Sequence, residues 1–125
     1  MSKRELKMFD EITKLNLLYD FYGQLLTKRQ QEVMKLYHEE NLSLSEIAEE
    51  FKISRQGVHD ALKNAEKSLN EYEDKLKLVE RFEKTRQAVE KIDKNIEELV
   101  EVLKENFEIK NKLLEIKTII DKIEL

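Results

Sequence analysis

The sequence predicts an all-α protein, and three observations favour this fold class. The 125 residues include two glycines and no proline, whereas the tight turns of a many-stranded sheet draw on both residue types. Apolar residues recur at spacings of three and four along most of the chain, which is the period of an amphipathic helix. Charged residues make up 40% of the chain, against roughly 25% in an average globular protein. These features indicate helices with charged outer faces rather than a β-sandwich or barrel.

The first predicted helix spans about residues 4–23. Its apolar stripe recurs every three or four positions and consists of Met8, Ile12, Leu15, Tyr19 and Tyr22. Gly23 is its predicted end, because glycine is a poor helix former.

Two capping boxes predict the next two helices. In the Thr27-x-x-Gln30 pair, the hydroxyl accepts from the third amide and the glutamine side chain reaches back to the amide of the cap. Ser43 and Glu46 repeat this arrangement, and Asn41 ends the helix between them. The predicted buried stripes are Val33, Leu36 and Tyr37 in the second helix and Leu44, Ile47, Ala48 and Phe51 in the third.

A fourth helix is expected to begin after Ser54 and to run past Leu69 into a long helical segment. Its apolar positions are Val58, Ala61, Leu62, Ala65 and Leu69. Further on, apolar residues alternate at three and four as in a coiled-coil seam. That register falters at residues 83–87 and again near Asn106, the predicted hinge before a last helix.

The C-terminal part carries more apolar surface than one small domain can cover. The predicted seam consists of Ile92, Ile96, Leu99, Leu103, Leu113, Ile116 and Ile120. We therefore predict a helix-turn-helix domain over residues 1–70 and a helical segment over residues 71–125 that forms a homodimer. Helices that fold back on the domain are the alternative for this segment.

Composition excludes several functional classes. The absence of cysteine rules out disulfides, cysteine zinc sites, iron–sulfur clusters and a thiol nucleophile. No apolar run approaches the ~20 residues that a membrane span needs, and the N-terminus lacks the apolar core of a signal peptide. These features predict a cytoplasmic protein with no membrane partner.

Catalytic and cofactor motifs are also missing from the sequence. His38 and His59 lack ligand-like spacing to carboxylates, so no metal site is predicted, and His38 is expected at the surface. Adjacent glutamates do not face each other on a helix and so form no acid–base pair. With no nucleophile elbow and no glycine-rich phosphate loop, we predict neither an enzyme nor a cofactor.

The segment Leu44–Leu62, LSEIAEEFKISRQGVHDAL, has the pattern of a helix-turn-helix. Ala48 is the small residue at the helix crossing, and apolar residues flank the turn before Ser54. The predicted nucleic-acid-binding residues are Ser54, Arg55, Gln56, His59 and Lys63. Arginine and glutamine suit bidentate contacts with guanine and adenine edges, and a recognition helix places its N-terminal residues on the bases.

Two positions depart from the usual motif. Lys52 stands where such turns usually have glycine, and a left-handed conformation there costs a non-glycine residue about 1–2 kcal/mol. Gly57 lies in the first turn of the recognition helix, where it costs about 1 kcal/mol relative to alanine.

The motif resembles region four of the bacterial sigma factors. Together with FYGQLLTKRQ (21–30), LYHEENLSLSEIAEEF (36–51) and ISRQGVHDALKNAEKSLNEYEDKL (53–76), it resembles the YlxM-like family of small helix-turn-helix proteins. The resemblance covers residues 15–80 well and the remainder by helical layout. It implies a DNA-binding regulatory protein and a role in the signal recognition particle pathway, with components of that particle as partners.

The charge balance keeps a second functional class open. The net charge is −4, and residues 43–70 hold four Lys or Arg against five Asp or Glu, whereas phosphate neutralisation drives nucleic-acid affinity. The leading prediction is a nucleic-acid-binding protein whose target is DNA, with structured RNA as an alternative target. The rival is a protein-interaction adaptor that uses the same helix-turn-helix face.

Overall fold

A computed structural model of the chain describes residues 2–123, except for the side chains of residues 5–9. Within this part it contains six α-helices and no strand: α1 (Lys3–Tyr22), α2 (Lys28–Met34), α3 (Leu44–Phe51), α4 (Arg55–Leu76), α5 (Leu78–Val102) and α6 (Phe107–Asp121). A 3₁₀ turn (Gly23–Leu25) follows α1, and a π-helical turn (Lys35–Glu39) follows α2. The predicted all-α fold is confirmed. The side chain of Met8, assigned to the stripe of the first helix, lies outside the described residues.

Both predicted capping boxes are confirmed. The Thr27 hydroxyl accepts the amide N–H of Gln30 at 3.2 Å, and the Gln30 side chain accepts that of Thr27 at 3.0 Å. The corresponding distances between Ser43 and Glu46 are 3.1 and 3.2 Å. Asn106, the predicted hinge, caps α6 by accepting the N–H of Ile109 at 3.1 Å.

The chain divides into two compact units, the first ending at Val79 and the second beginning at Glu80. The core of the first unit joins α1, α2, α3 and α4. Its buried residues are Leu18, Tyr22, Leu26, Val33, Met34, Ile47, Val58, Leu62, Ala65, Leu69 and Val79. Val33, Ile47 and Val58, one from each of three helices, are fully buried, so these side chains set how α2 and α3 pack on α4.

The first unit extends to Val79, beyond the sequence-based boundary at residue 70. The buried Tyr22 hydroxyl donates to the Glu73 carboxylate and accepts the N–H of Leu78 at 3.0 Å. Glu73 in turn accepts the N–H of Val79 at 3.0 Å. These bonds connect α1 to the end of α4 and the start of α5. The fourth helix does run past Leu69, and it ends where Lys77 adopts a left-handed conformation (φ 57°, ψ 27°).

The predicted stripe of the second helix is wrong at its C-terminal end. Tyr37 is 40% exposed, and the neighbouring His38, expected at the surface, is half-buried. The cause is the π-helical turn, in which the N–H of Glu40 bonds to the carbonyl of Lys35 at 3.2 Å. An i→i+5 bond encloses one residue more than the i→i+4 bond of an α-helix and so rotates the following side chains, which turns His38 inward.

His38 is expected to make the stability of the protein depend on pH. Its buried Nε2 has no hydrogen-bond partner among the described residues, and burial lowers its pKa despite an opposing effect of Glu66. The unfolded chain therefore binds a proton more readily, so stability is full above the unfolded pKa of about 6.5 and declines as pH falls towards the folded pKa.

Urea unfolding at pH 7 and pH 5 measures this effect. Wild type should lose more stability than His38→Gln over the interval, because carboxylates titrate alike in both proteins. Equal losses would show that burial of His38 is not linked to proton binding.

In the second unit, Lys117 of α6 bridges two carboxylates of α5. Its ammonium lies 2.9 Å from Asp93 and 3.0 Å from Glu97, and hydrogen bonds to both raise its pKa.

The predicted apolar seam of the C-terminal helices is only partly exposed to solvent. Ile96 is buried and Leu103, Leu113 and Ile120 are half-buried, whereas Ile92, Leu99 and Ile116 are exposed.

Candidate nucleic-acid interface

The turn between α3 and α4 has the geometry of a helix-turn-helix. Lys52 is left-handed (φ 55°, ψ 44°), and its N–H bonds to the carbonyls of Ala48 and Glu49. The N–H of Ile53 also bonds to the Ala48 carbonyl, at 3.0 Å. Ser54 then returns to an extended conformation and begins α4. The glycine-like turn position of Lys52 is left-handed, and the predicted start of the recognition helix is confirmed.

Lys52→Gly should raise the free energy of unfolding by about 1 kcal/mol, because glycine adopts the left-handed region without strain. Urea unfolding measures the change. Lys77→Gly is a matched comparison, since Lys77 caps α4 in the same conformation. A loss of stability in Lys52→Gly would mean that the lysine side chain, rather than the backbone, governs this turn.

Buried residues hold α3 and α4 at a fixed angle. Ile47 of α3 and Val58 of α4 are fully buried. Ala48, Phe51 and Ile53 are half-buried and pack against the same core. The exposed side chains at the start of α4 therefore project from a well-packed helix pair, as a recognition element requires.

The structure places all five predicted site residues at the exposed N-terminal end of α4. Ser54, Arg55, Gln56, His59 and Lys63 are each exposed. At 100° per residue, the last four fall within about 100° of arc around the helix. One surface could therefore present them together to a groove.

The Ser54 hydroxyl has a structural role in this surface. It accepts the N–H of Gly57 at 2.9 Å and so caps α4. Gly57 has no positive φ, but a Cβ there would lie 3.2 Å from the Ser54 oxygen. The glycine therefore leaves room for a tight cap. The Ser54 hydroxyl hydrogen can still be donated outwards to a phosphate.

Asp60 interferes with two of the candidate contacts. Its carboxylate accepts from Gln56 Nε2 at 2.9 Å and lies 3.7 Å from His59 Nδ1. For Gln56 to contact an adenine bidentately, its amide would have to leave Asp60. The negative charge also opposes an approaching phosphate.

Sequence reasoning missed Arg29 of α2, which contacts Phe51 just before the turn. Its guanidinium carbon is 4.6 Å from the centroid of the Phe51 ring, at the end of α3. A local signal was present, because the capping box at Thr27 makes Lys28 and Arg29 the first two residues of α2. The contact with Phe51 itself joins residues of different helices and has no sequence signature.

No cluster of three or more His, Cys, Asp or Glu side chains in residues 2–123 could hold a metal ion. None of the helices described is both long and apolar enough to cross a bilayer.

The fold and the exposed end of α4 define a helix-turn-helix protein. A family model described as "Putative helix-turn-helix protein, YlxM / p13 like" (UPF0122) matches residues 9–124. The chain therefore belongs to this YlxM-like family, and the resemblance inferred from its motifs is confirmed.

Curated relatives carry the same family name. A UPF0122 protein of Desulforamulus reducens is 57% identical over 72 residues, which cover 58% of this chain and 62% of that protein. A Bacillus thuringiensis relative is 49% identical over 80 residues (64% and 73% of the two chains). One from Halalkalibacterium halodurans is 51% identical over 77 residues (62% and 71%). This chain thus spans less than two thirds of the Desulforamulus protein, and the relatives' names state no ligand.

Proposed function

We propose that the protein is a DNA-binding regulator that places the N-terminal end of α4 in the major groove. The observation that carries this proposal is the α3–turn–α4 unit, which presents Arg55, Gln56, His59 and Lys63 on one exposed surface. Arginine and glutamine there have the donors needed to contact base edges. The curated relatives are bacterial, and a DNA target in a bacterial cell lies in the cytoplasm, so we infer that the protein works there.

The local electrostatics of α4 support this role despite the net charge of −4. The first turn of α4 contains no acidic residue, and a helix N-terminus carries a partial positive charge. No carboxylate of the described residues pairs with Arg55 or Lys63. Both cations are therefore available to a phosphate or a guanine.

The acidic surface of α3 favours a second candidate, a protein-interaction adaptor. Glu46, Glu49 and Glu50 are exposed on α3, and Asp60 adds a carboxylate on α4. Such a surface suits a basic protein partner and opposes phosphate. The two candidates differ in whether the α4 surface has measurable affinity for nucleic acid at physiological salt.

The family resemblance extends the proposal to the signal recognition particle pathway. Its support is the match of motifs to the YlxM-like family, and components of that particle are the candidate partners. Structured RNA is accordingly an alternative nucleic-acid target.

A homodimer held by α5 and α6 completes the proposal. Exposed apolar residues recur on these helices: Ile92, Leu99, Val102, Phe107, Ile109, Leu114, Ile116 and Ile119. Ile109 and Ile116 lie seven positions apart, the spacing of a helix that pairs with another helix. A second copy of the chain would bring an equal apolar face, and a dimer suits a helix-turn-helix that reads two half-sites.

Titration of labelled duplex DNA and structured RNA at two salt concentrations tests the proposal. Sequencing of nucleic acid that co-purifies with the protein supplies the specific site. Salt-dependent DNA binding supports the regulator. No binding of either nucleic acid, together with capture of a basic protein partner that Asp60→Asn weakens, would favour the adaptor.

A further inference from the structure

Arg29 is held in place by an aromatic ring at the end of α3. Its guanidinium lies over the Phe51 ring at 4.6 Å, and Phe51 is half-buried against the core. A guanidinium over an aromatic ring is attracted by the ring quadrupole and so is held in position. Arg29 is itself exposed, so its guanidinium is accessible to a ligand.

Lys52 is a second cation and follows Phe51 directly in the chain. It is exposed, and its left-handed backbone is fixed by bonds to the carbonyls of Ala48 and Glu49. Arg55, the first residue of α4, lies three positions further along the chain. Both cations are therefore close to the turn that precedes α4, Arg29 through its contact with Phe51 and Lys52 as a residue of the turn itself.

The placement of Arg29 is unfavourable for the helix that carries it. Lys28 and Arg29 are the first two residues of α2, whose first turn holds no acidic residue. The helix dipole disfavours cations at this end. No carboxylate of the described residues forms an ion pair with Arg29 or Lys52. An external anion would relieve this repulsion.

We propose that Arg29 and Lys52 bind the phosphate backbone of duplex DNA beside the groove that α4 enters, with Phe51 as the positioning residue for Arg29. The inference rests on the proposed DNA-binding function and adds an anchor from a helix outside the α3–α4 motif. Phosphate contacts of this kind fix the orientation of a recognition helix without reading sequence. The exposed Glu49 and Glu50, just before the turn, oppose the anchor and limit its strength.

The test uses the full chain and a fluorescein-labelled mixed-sequence DNA duplex of about 30 base pairs, at 50 and 200 mM NaCl. Arg29→Ala should weaken binding about tenfold at 50 mM, equally for different sequences. Between 50 and 200 mM NaCl, the affinity of wild type should fall by a factor about 3.5 times larger than that of Arg29→Ala. The reason is that one phosphate contact contributes about 0.9 to the slope of log affinity against log salt concentration. Arg29→Lys should keep the wild-type salt slope.

Arg81→Ala is the matched control, because it removes the same charge from an exposed position of α5. Phe51→Leu should weaken binding in wild type but have no further effect in the Arg29→Ala background. A melting temperature measured for each variant separates binding from folding.

If Arg29→Ala binds like Arg81→Ala while Arg55→Ala binds weakly, the anchor is wrong and the DNA-binding function stands. A lower melting temperature with an unchanged salt slope would assign the Arg29–Phe51 contact to packing alone, which also overturns the anchor. If wild type does not bind DNA at either salt, the proposed function and the anchor both fail.

Discussion

Arg55→Ala is expected to weaken sequence-specific DNA binding by about 1–3 kcal/mol, roughly 5- to 150-fold. Arg55 is the first residue of α4, is exposed, and lies at the end of the helix that a groove would receive. If Arg55 contacts a guanine, non-specific binding should change much less than specific binding. If it contacts a phosphate, affinity should fall for every sequence and the salt slope should shrink by about one unit.

Asp60→Asn is the complementary variant. Asparagine keeps an oxygen that can accept from Gln56, so it removes the charge while preserving the hydrogen bond seen at 2.9 Å. Nucleic-acid binding should strengthen, since a carboxylate no longer faces phosphate. Fluorescence titrations of wild type and both variants measure these effects. Unchanged affinity in both variants would place the DNA-binding surface elsewhere on the protein.

Ile116→Glu is expected to convert a dimer into a monomer. Ile116 is 45% exposed on α6, and burying an aliphatic side chain contributes roughly 1.5–3 kcal/mol. A symmetric interface contains the residue twice, so the loss doubles to about 3–6 kcal/mol, and the dissociation constant should rise at least a hundredfold. Sedimentation equilibrium at tens of micromolar measures the change.

Ile12→Glu is the control for this substitution. Ile12 is also exposed but belongs to α1, so the same change of side chain should leave a dimer intact. A monomeric wild type at tens of micromolar would contradict the dimer. Equal dissociation by both variants would show that α6 does not form the interface.

The candidate site was predictable from sequence to the extent that it is local. Ser54, Arg55, Gln56, His59 and Lys63 all lie where the motif predicts, because one cap and one helix determine their positions. Gln56 and Asp60 are four positions apart, so they lie on the same side of the helix. Only the structure, however, shows that Gln56 donates a hydrogen bond to Asp60. The contact between Arg29 and Phe51 was not predictable, since it depends on how α2 packs beside α3.

The first residues of three of the six described helices were predictable from sequence, because their caps are local. Thr27, Ser43 and Ser54 cap helices through bonds to residues three positions away, and such bonds need no tertiary context. Lys52 occupies the turn position at which the motif usually has glycine, and this position indicated its left-handed conformation.

Which residues share an environment depends on how distant segments of the chain pack together. Tyr22 and Glu73 are 51 positions apart. Their hydrogen bond connects the end of α4 to α1, and the first unit accordingly extends beyond residue 70 to Val79. The π-helical turn moved His38 inwards and Tyr37 outwards. Packing likewise buried Ile96 and left Ile92 and Leu99 exposed. The physical reason is that a cap is set by neighbouring residues, whereas burial is set by whichever distant surfaces pack together.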